Sequence, residues 1–504
     1  MDHGIFIGID SGTQGVKTIA LDAETGQVVG RSTIAHQLIS GPNGRREQEP
    51  QWWWDALVQA VRMLLTRESV AASRVRAISI SGQQHGFVPL DSNGEVIRPA
   101  KLWCDTETAA EAMALTDELG GTDRAIELTG SSIAAGFTAS KVKWLREHEP
   151  GNYDRLAMIL LPHDYLNYRL TGEYVTEAGD ASGTAYFDVR RREWCNAVLR
   201  AIDSSGKLEG CLPRLIESAD PAGTVIPAVA RELGLPENVL VASGGGDNML
   251  AAIGTGNVRP GVVTASLGTS GTVYAYADSP VIDPAGELAA FCSSTGGWLP
   301  LACTMNVTVS TEAVRNMFRL SLDEFNAAAA SAPPGADGVI LAPFFNGERT
   351  PALPGATAGF QGLTATNATR ENLCRAAIEG PTLGLRYALG VLKRCGITPA
   401  EIRLVGGGAK SPLWRQMVAD MFDCPVACPV ETEAGALGAA IQAHWCYNRA
   451  NDLPGTLGEL AENLIRYDPG KGCPPERSTT DFYHGLYANY LRLVTNLSGY
   501  WGSQ

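Results

Sequence analysis

The feature that most constrains the fold is a strand–turn–strand segment that occurs twice. Near its start the chain reads GIFIGIDSGTQGVKTIALD, and just past its midpoint it reads GVVTASLGTSGTVYAYA, so the same Gly-Thr-x-Gly turn is flanked by apolar strand residues in both. The threonines of the two turns, Thr13 and Thr269, lie 256 positions apart in a chain of 504 residues. A repeat at this spacing predicts two structurally related domains, which we place at residues 1–254 and 255–504.

The rest of the chain alternates between strand and helix patterns. In PQWWWDALVQAVRMLL, apolar residues recur at helical spacing from Pro50, a residue type favoured at helix starts. The adjacent tryptophans 52–54 point in different directions on such a helix, so we interpret them as core and rim packing. Long helical patterns follow at residues 370–395 and 480–497. Strands that alternate with helices predict a layered α/β architecture.

Charge and cysteine content exclude several classes of protein. The formal net charge of −14 argues against general nucleic-acid binding, which requires a basic face. No apolar run is long enough to span a bilayer, and the first residues, MDHGIFIGIDSG, show no charged leader or apolar signal segment. We therefore expect a cytoplasmic protein with no membrane partner. The 11 cysteines are scattered without zinc-site spacing, which indicates reduced thiols.

Glycine-rich turns at strand ends are the first candidate sites. Asp10 ends the first strand, just before Gly12 and Thr13. Turn amides at this place can form an anion site, and the carboxylate can hold a magnesium ion through water; an ordinary hairpin is the alternative. Lys17 follows without P-loop spacing, which excludes that motif. The turn at residues 268–271 repeats the pattern without an acid. Two turns, one in each domain, could therefore bind the same polyphosphate.

Three further segments bring polar groups next to glycines. Residues 82–86, Gly-Gln-Gln-His-Gly, gather amide and imidazole groups that suit a hydroxyl-rich ligand, although a lone histidine is often structural. Asp105, beside Trp103, is another polar candidate, which the pattern alone predicts to be a surface acid. Residues 406–408 form either a plain strand-to-helix turn or a place where a ring or phosphate approaches the backbone. Residues 244–248, Gly-Gly-Gly-Asp-Asn, form a plain turn, a phosphate-binding loop or a segment that positions a reacting group.

These segments together resemble one family, the FGGY carbohydrate kinases, and most closely its xylulokinase branch. The resemblance runs from Ile7 to about Ala440. It implies a duplicated actin-like (ribonuclease H-like) fold, with two α/β domains around a deep cleft, and phosphorylation of a sugar or polyol by MgATP. The motifs that carry it are IGIDSGTQGVK, SGQQHG, IRPAKLWCD, GFTASKVKWLREHEP, LLPHDYLNYRLTGE, ASGGGDN, SLGTSG, PFFNGERTP, VGGGAKSPLWRQMVAD and GALGAA.

The resemblance also implies roles for single residues. Asp247 falls where the family has its catalytic base, and Asp10 resembles the acid that organises magnesium, so both are candidate catalytic residues and metal ligands. Besides Asp247, the candidate substrate-binding residues, all in the N-terminal domain, are Gln84, His85, Trp103, Asp105 and Asn248. The candidate nucleotide-binding residues, which the resemblance divides between the two domains, are Gly12, Thr13, Gln14, Lys17, Gly268, Thr269, Ser270, Gly407 and Gly408.

The reaction that this resemblance implies is in-line phosphoryl transfer from ATP to D-xylulose, with Asp247 as general base. Departures from the usual xylulokinase pattern leave the sugar open: Gln84 stands where bacterial members often have Met, and Cys104 where many have Asn. Ribulo-, glucono- and related kinases share the phosphate machinery. A non-metabolic actin-like ATPase and an inactive sugar sensor are further alternatives, against which the hydroxyl-binding loop and the two intact acids argue. A homodimer is left open.

Overall fold

The structure, a computed structural model, describes residues 4–68 and 70–501. The chain divides into two compact units, each assembled from three stretches. Both units contain helices and sheets, so the predicted α/β class is confirmed. The domain boundary near residue 254 stays a prediction. The first unit is Met1–Arg259, Ala277–Leu299 and Glu433–Ile465, and the second is Pro260–Tyr276, Pro300–Thr432 and Arg466–Gln504.

Helices and strands are numbered here in chain order. None of the helices in residues 4–68 and 70–501 combines the length and the apolar character that a membrane crossing requires. The strands are β1 (Ile5–Gly12), β2 (Gly15–Asp22), β3 (Gln27–Ala35), β4 (Ile39–Ser40), β5 (Arg46–Gln48), β6 (Val75–Gly82), β7 (Val88–Leu90), β8 (Ala100–Lys101), β9 (Met158–Leu160), β10 (Val175–Glu177), β11 (Phe187–Asp188), β12 (Glu193–Trp194), β13 (Arg214–Ile216), β14 (Pro221–Thr224), β15 (Leu240–Ala242), β16 (Gly245–Gly246), β17 (Val262–Leu267), β18 (Gly271–Ala275), β19 (Ala289–Cys292), β20 (Trp298–Thr304), β21 (Ile340–Ala342), β22 (Gly359–Gln361), β23 (Glu401–Val405) and β24 (Val426–Ala427). The helices are α1 (Pro50–Arg67), α2 (Ala109–Leu119), α3 (Thr122–Thr129), α4 (Thr138–His148), α5 (Pro150–Arg155), α6 (Pro162–Thr171), α7 (Ala178–Ala181), α8 (Asn196–Ile202), α9 (Pro227–Leu233), α10 (Asp247–Gly254), α11 (Thr308–Met317), α12 (Leu322–Ser331), α13 (Arg370–Arg394), α14 (Pro412–Phe422), α15 (Ala434–Ala450), α16 (Leu457–Leu464) and α17 (Arg477–Trp501).

The main sheet of the first unit has the strand order β14-β15-β6-β1-β2-β3, and β16 also pairs with β6. Its central strand, β1, is antiparallel to β2 and parallel to β6. Side chains alternate between the two faces of a strand: Ile7 packs into the core cluster that contains Trp53 of α1, whereas Phe6 packs against Ala443 of α15. Helices therefore cover both faces of β1, which is why the first five residues of this strand are apolar.

The tryptophans of α1 confirm the packing interpretation. The predicted helix is present and includes Pro50 as its first residue, and adjacent side chains leave it in different directions. Trp53 and Trp54 are buried in the core, whereas Trp52 is only half-buried at its rim. The three indoles thus form no common stacking face.

α15 lies very close to β1 and to α10 because glycines face these contacts. A Cβ atom on Gly8 of β1 would overlap the carbonyl oxygen of Ala436, and one on Gly438 of α15 would overlap that of Leu250 in α10. These neighbours are backbone atoms of packed elements, which cannot rotate away as a side chain can. The small residues of the GALGAA segment therefore set the spacing between the first strand and α10.

The second unit repeats the local topology of the first. Its sheet contains the strands β20-β18-β17-β23-β24 in this order. The central strand β17 is antiparallel to β18 and parallel to β23, just as β1 is antiparallel to β2 and parallel to β6. The second predicted strand–turn–strand segment is therefore confirmed, and in each unit the Gly-Thr turn follows the central strand of a mixed sheet.

The close contact of α15 with α10 makes a prediction about stability. Gly438→Ala should lower the free energy of unfolding by about 1–3 kcal/mol or more, because the new methyl group would overlap a carbonyl oxygen in a packed interface. Thermal unfolding of the variant and the parent measures the effect. Gly458→Ala in α16 is the matched control: its Cβ would meet nothing within 4 Å, so stability should stay constant or rise by up to about 1 kcal/mol. Equal melting temperatures for Gly438→Ala and the parent would contradict this account.

Candidate active site

Asp10 lies at the end of β1, beside the neighbouring parallel strand β6. Its register partner is Ser81, whose Oγ donates a hydrogen bond of 2.7 Å to Asp10 Oδ1. Gly435, near the start of α15, comes so close that a Cβ there would lie 2.9 Å from the Asp10 carboxyl. Burial raises the pKa of Asp10, while the Ser81 hydrogen bond and the charge of Lys17 lower it in part. The fold thus holds this carboxyl group in a constrained, poorly hydrated position.

Asp247 is the first residue of α10 and follows the short strand β16. Gly246 of β16 pairs with Gly82 at the end of β6. One strand, β6, therefore separates the strand that leads to Asp247 from the strand that carries Asp10. The backbone N–H and Nδ2 of Asn248 donate to Asp247 Oδ1 at 2.7 and 2.9 Å. Burial, and after it the negative charge of Asp10, raises the pKa of Asp247 to about 7. The carboxyl group is therefore suited to exchange a proton near neutral pH.

The two acids together fit a divalent cation. Both residues are half-buried, and the charge of Asp10 adds to the effect of burial in raising the pKa of Asp247. Oxygen ligands that repel one another in this way are stabilised by a hard cation such as Mg²⁺. Lys17 does not fill this role, because its Nζ forms an ion pair with Glu433 at 2.6 Å.

The triple glycine before Asp247 gives room to neighbouring side chains. Gly244 has φ +72°, a conformation that favours glycine, and a Cβ on Gly246 would lie 2.6 Å from Cγ of Gln84. Gln84 Oε1 in turn accepts a hydrogen bond of 2.9 Å from Asn248 Nδ2, while its buried Nε2 has no partner. Asp247, Asn248 and Gln84 thus form one connected polar group with a donor that remains to be satisfied.

His85 is held by backbone contacts on several sides. It adopts φ +63°, and its Nδ1 lies 2.8 Å from the carbonyl oxygen of Gly183. The ammonium group of Lys141 donates to the His85 carbonyl oxygen at 2.5 Å and to that of Gly136 at 2.6 Å. Burial lowers the pKa of Lys141 to about 7. Lys141 lies in the segment GFTASKVKWLREHEP, but the sequence pattern predicts no role for it. It orients the His85 loop through contacts that form only in the folded structure.

The first Gly-Thr turn and Trp103 are in direct contact. Trp103, which is 38% exposed, donates from Nε1 to Thr13 Oγ1 at 3.0 Å. Thr13 Oγ1 donates onward to Oε1 of Gln83 at 3.1 Å. Gly12 pairs with Gly15 across the turn, and the side chain of Gln14 is exposed. The hydroxyl of Thr13 is therefore engaged inside the protein, which leaves backbone amides as the groups available to an anion at this turn.

Asp105 is not a surface acid, and that expectation is wrong. The residue is fully buried, and its Oδ2 accepts from the backbone N–H of Arg46 at 2.8 Å and from Lys101 Nζ at 3.4 Å. Lys101 also contacts Glu47 at 3.3 Å and Glu107 at 2.5 Å, so its ammonium group lies among three carboxylates. Asp105 thus stabilises this ion cluster and the loop around it. Its role in substrate binding stays a prediction that none of these contacts supports.

In the second unit, the second Gly-Thr turn lies next to the 406–408 glycines. Two backbone N–H groups at the start of α11 donate to the carbonyl oxygens of Gly268 and Thr269, at 3.0 Å each. Gly406 has φ +91° and lies against the backbone of Leu267. A Cβ on Gly407 would meet nothing within 4 Å, whereas one on Gly408 would touch Leu267 and Trp414. Open space at Gly407 fits the approach of a flat group, as the nucleotide prediction requires. Ser270 in the same turn is half-buried.

A buried histidine and its acids form a further group that the sequence did not indicate. His163 Nδ1 lies 2.7 Å from Asp180 Oδ2, and its Nε2 lies 3.0 Å from Asp164 Oδ1. Burial lowers the pKa of His163, but the two acids outweigh burial and raise it to about 9. The charge of Asp180 also contributes to the raised pKa of Asp247. Asp164 is the neighbour of His163 in the sequence, but only the fold brings Asp180 to the other ring nitrogen, so the local pattern could not reveal the group.

Several known proteins are similar to this chain over most or nearly all of its length. A xylulose kinase from Haemophilus influenzae is 46% identical to this chain, over 98% of it and 100% of the relative. One from Streptomyces coelicolor is 41% identical over 87% of each chain. The crystal structure of the xylulose kinase from Bifidobacterium adolescentis is 34% identical, with a TM-score of 0.82 over 96% of this chain and 99% of that one.

Two family models also match, and they divide the chain between them. The model for the N-terminal domain of the FGGY family of carbohydrate kinases matches residues 5–254, and the model for the C-terminal domain matches residues 263–447. Both the fold and the resemblance expected from the motifs are confirmed by these matches. The chain therefore belongs to the FGGY family of carbohydrate kinases.

Proposed function

We propose that this chain transfers the γ-phosphoryl group of ATP to the C5 hydroxyl of D-xylulose, which yields D-xylulose 5-phosphate and ADP. The relatives named xylulose kinase support this choice of sugar, since the first of them is 46% identical over 98% of the chain. The observation that carries the proposal is the connected group of Asp247, Asn248 and Gln84, which combines a carboxyl group of raised pKa with an unsatisfied amide donor. Such donors and acceptors suit a ligand rich in hydroxyls.

Asp247 would act as the general base. Its pKa of about 7 means that the carboxylate is present at neutral pH and can accept the proton of the sugar hydroxyl. As the proton moves to Asp247, the sugar oxygen forms a bond to the γ-phosphorus, and the bond from that phosphorus to the β,γ-bridging oxygen breaks. Asn248 holds the carboxyl group through two hydrogen bonds, which fixes its direction.

The nucleotide would be held by groups from both halves of the sequence. Asp10 and Asp247 are the proposed magnesium ligands, and a bound magnesium ion would neutralise charge on the phosphates. The amides of the turns at residues 12–15 and 268–271 would contact phosphate oxygens. The open space at Gly407 supports its assignment, with Gly408, to the adenosine side. Lys17 stays a candidate phosphate contact, although it is paired with Glu433.

Release of ADP in the presence of different substrates tests the proposal. D-xylulose should stimulate ADP release from MgATP far more than D-ribulose, gluconate or glycerol does, because the sequence relatives act on xylulose. Hydrolysis that does not depend on sugar would favour the actin-like ATPase alternative, and sugar binding without ADP release would favour the inactive sensor. If another sugar is preferred, the assignment to the FGGY family stands, but the assignment of D-xylulose as the substrate is wrong. Cytoplasmic location and oligomeric state stay predictions.

Substitution of Asp247 tests its role as base. Asp247→Asn keeps the shape of the side chain but cannot accept the proton, so turnover should fall by about 10²–10⁴-fold. Affinity for the nucleotide, measured by calorimetry, should change much less. Asp117→Asn, at an exposed acid of the same unit, is the control and should leave turnover unchanged. Turnover within tenfold of the parent would show that another group is the base.

The raised pKa of Asp247 predicts a pH dependence. Above about pH 7 the carboxyl group is ionised and can act as a base, whereas below it the group is protonated and inactive. At saturating sugar, kcat/KM for MgATP, which reports the ionisation of Asp247 before a magnesium ion binds, should therefore fall by about tenfold per pH unit below pH 7. Circular dichroism at each pH controls for unfolding. A profile that stays flat down to about pH 5 would be inconsistent with Asp247 as the base.

A further inference from the structure

Gln48 makes every hydrogen bond that an amide side chain can make. It ends β5 and is fully buried. Its Oε1 accepts from Gln83 Nε2 and from Trp53 Nε1, both at 2.9 Å. Its Nε2 donates to the carbonyl oxygens of Thr13 at 2.8 Å and of Gln37 at 2.7 Å, which are nearer than the third neighbour, His36 Nδ1, at 3.1 Å. Since a primary amide has two acceptor sites and two N–H donors, this side chain is fully satisfied in one orientation.

These contacts close a ring on the first Gly-Thr turn. Thr13 Oγ1 donates to Gln83 Oε1 at 3.1 Å, and Gln83 donates to Gln48. Gln48 returns to the same residue by donating to the Thr13 carbonyl oxygen. Trp103 Nε1 completes the arrangement by donating to the Thr13 hydroxyl at 3.0 Å. Both the side chain and the carbonyl group of Thr13 are therefore held by the same buried network.

The orientation of the Thr13 carbonyl determines where the next amide points. The peptide bond between Thr13 and Gln14 is planar and trans, so its C=O and N–H groups point in opposite directions. Because the carbonyl oxygen is directed at buried Gln48, the N–H of Gln14 points away from the core. The Gln14 side chain itself is exposed. The turn therefore presents a backbone donor outward, as an anion site requires.

We propose that Gln48 is a positioning residue for the first phosphate turn, which holds the Gln14 N–H toward the polyphosphate of the nucleotide. This inference rests on the proposed function, because it assigns the turn to the phosphates of ATP. Gln48 itself does not touch the nucleotide; it acts through Thr13. Loss of its amide would free the Thr13–Gln14 peptide to rotate, and the donor would no longer be held in place.

The decisive experiment compares nucleotide and sugar binding in Gln48→Leu, which keeps a similar volume and removes all four hydrogen bonds. Calorimetry with magnesium and a non-hydrolysable ATP analogue that has an imido β,γ bridge should show affinity weakened about tenfold or more. KM for MgATP should rise in parallel, while KM for the sugar should stay within about threefold of the parent. A general loss of folding would weaken both ligands alike, so this split separates positioning from mere structural support.

Two further variants keep the test decisive. Ser32→Ala removes another buried hydrogen bond of the same unit, from Ser32 Oγ to the Ala60 carbonyl oxygen at 2.8 Å, and should change neither affinity. If Gln48→Leu does not fold, Gln48→Glu serves instead: it keeps an acceptor oxygen for Gln83 and Trp53 and removes the N–H donor to the Thr13 carbonyl, so analogue affinity should again fall about tenfold.

The outcomes distinguish this inference from the proposed function. Analogue affinity within twofold of the parent in Gln48→Leu, or in Gln48→Glu where only that variant folds, would overturn the role of Gln48. Equal weakening of nucleotide and sugar would overturn it as well. A parent protein that binds the analogue but shows no sugar-dependent ADP release would instead refute the proposed function, and the effect of Gln48 on analogue binding would still be measured.

Discussion

The close packing of α15 against β1 and α10 is the contact on which the first unit depends. Glycines at 8 and 438 allow backbone to approach backbone at these places, where any Cβ would overlap a carbonyl oxygen. This approach brings the start of α15 to the end of β1, so that Gly435 lies against the carboxyl group of Asp10. It also sets the position of α10, whose first residue is Asp247. The small-residue helix therefore determines where both acids are held.

The electrostatics of the first unit follow from how its buried charges are partnered. Lys101 is surrounded by three carboxylates, Lys17 is paired with Glu433, and the ammonium group of Lys141 is satisfied by carbonyl oxygens. Asp10 and Asp247, by contrast, are half-buried without a cationic hydrogen-bond partner in the described part of the chain; desolvation raises the pKa of both, and the charge of Asp10 adds to the rise at Asp247. A buried charge without a partner is costly. That cost is offset when a cation binds, which makes the pair a suitable place for a magnesium–nucleotide complex and a base.

Much of the fold and part of the candidate site could be predicted from the sequence, because these features are local. Apolar alternation around the Gly-Thr turns predicted β1–β2 and β17–β18, and helical spacing from Pro50 predicted α1. Asp105 shows where local patterns fail: an acid in a polar segment is usually exposed, but here the backbone of Arg46, which is remote in sequence, joins nearby Lys101 in satisfying it. Lys141, His163 and Gln48 were missed for the same reason. Each has at least one partner that is remote in sequence: His85 for Lys141, Asp180 for His163 and Thr13 for Gln48.

The sequence by itself determined the family, the repeated strand–turn–strand segments and the identity of the acids, since these depend on residue type and spacing along the chain. Only the tertiary structure decided how these residues are used. In it, Asn248 forms hydrogen bonds with both Asp247 and Gln84, and the Thr13 hydroxyl donates to Gln83. Lys17 forms an ion pair with Glu433. The physical reason is that hydrogen bonds, burial and charge repulsion depend on distances in space, and these are set by packing contacts between segments far apart in the chain.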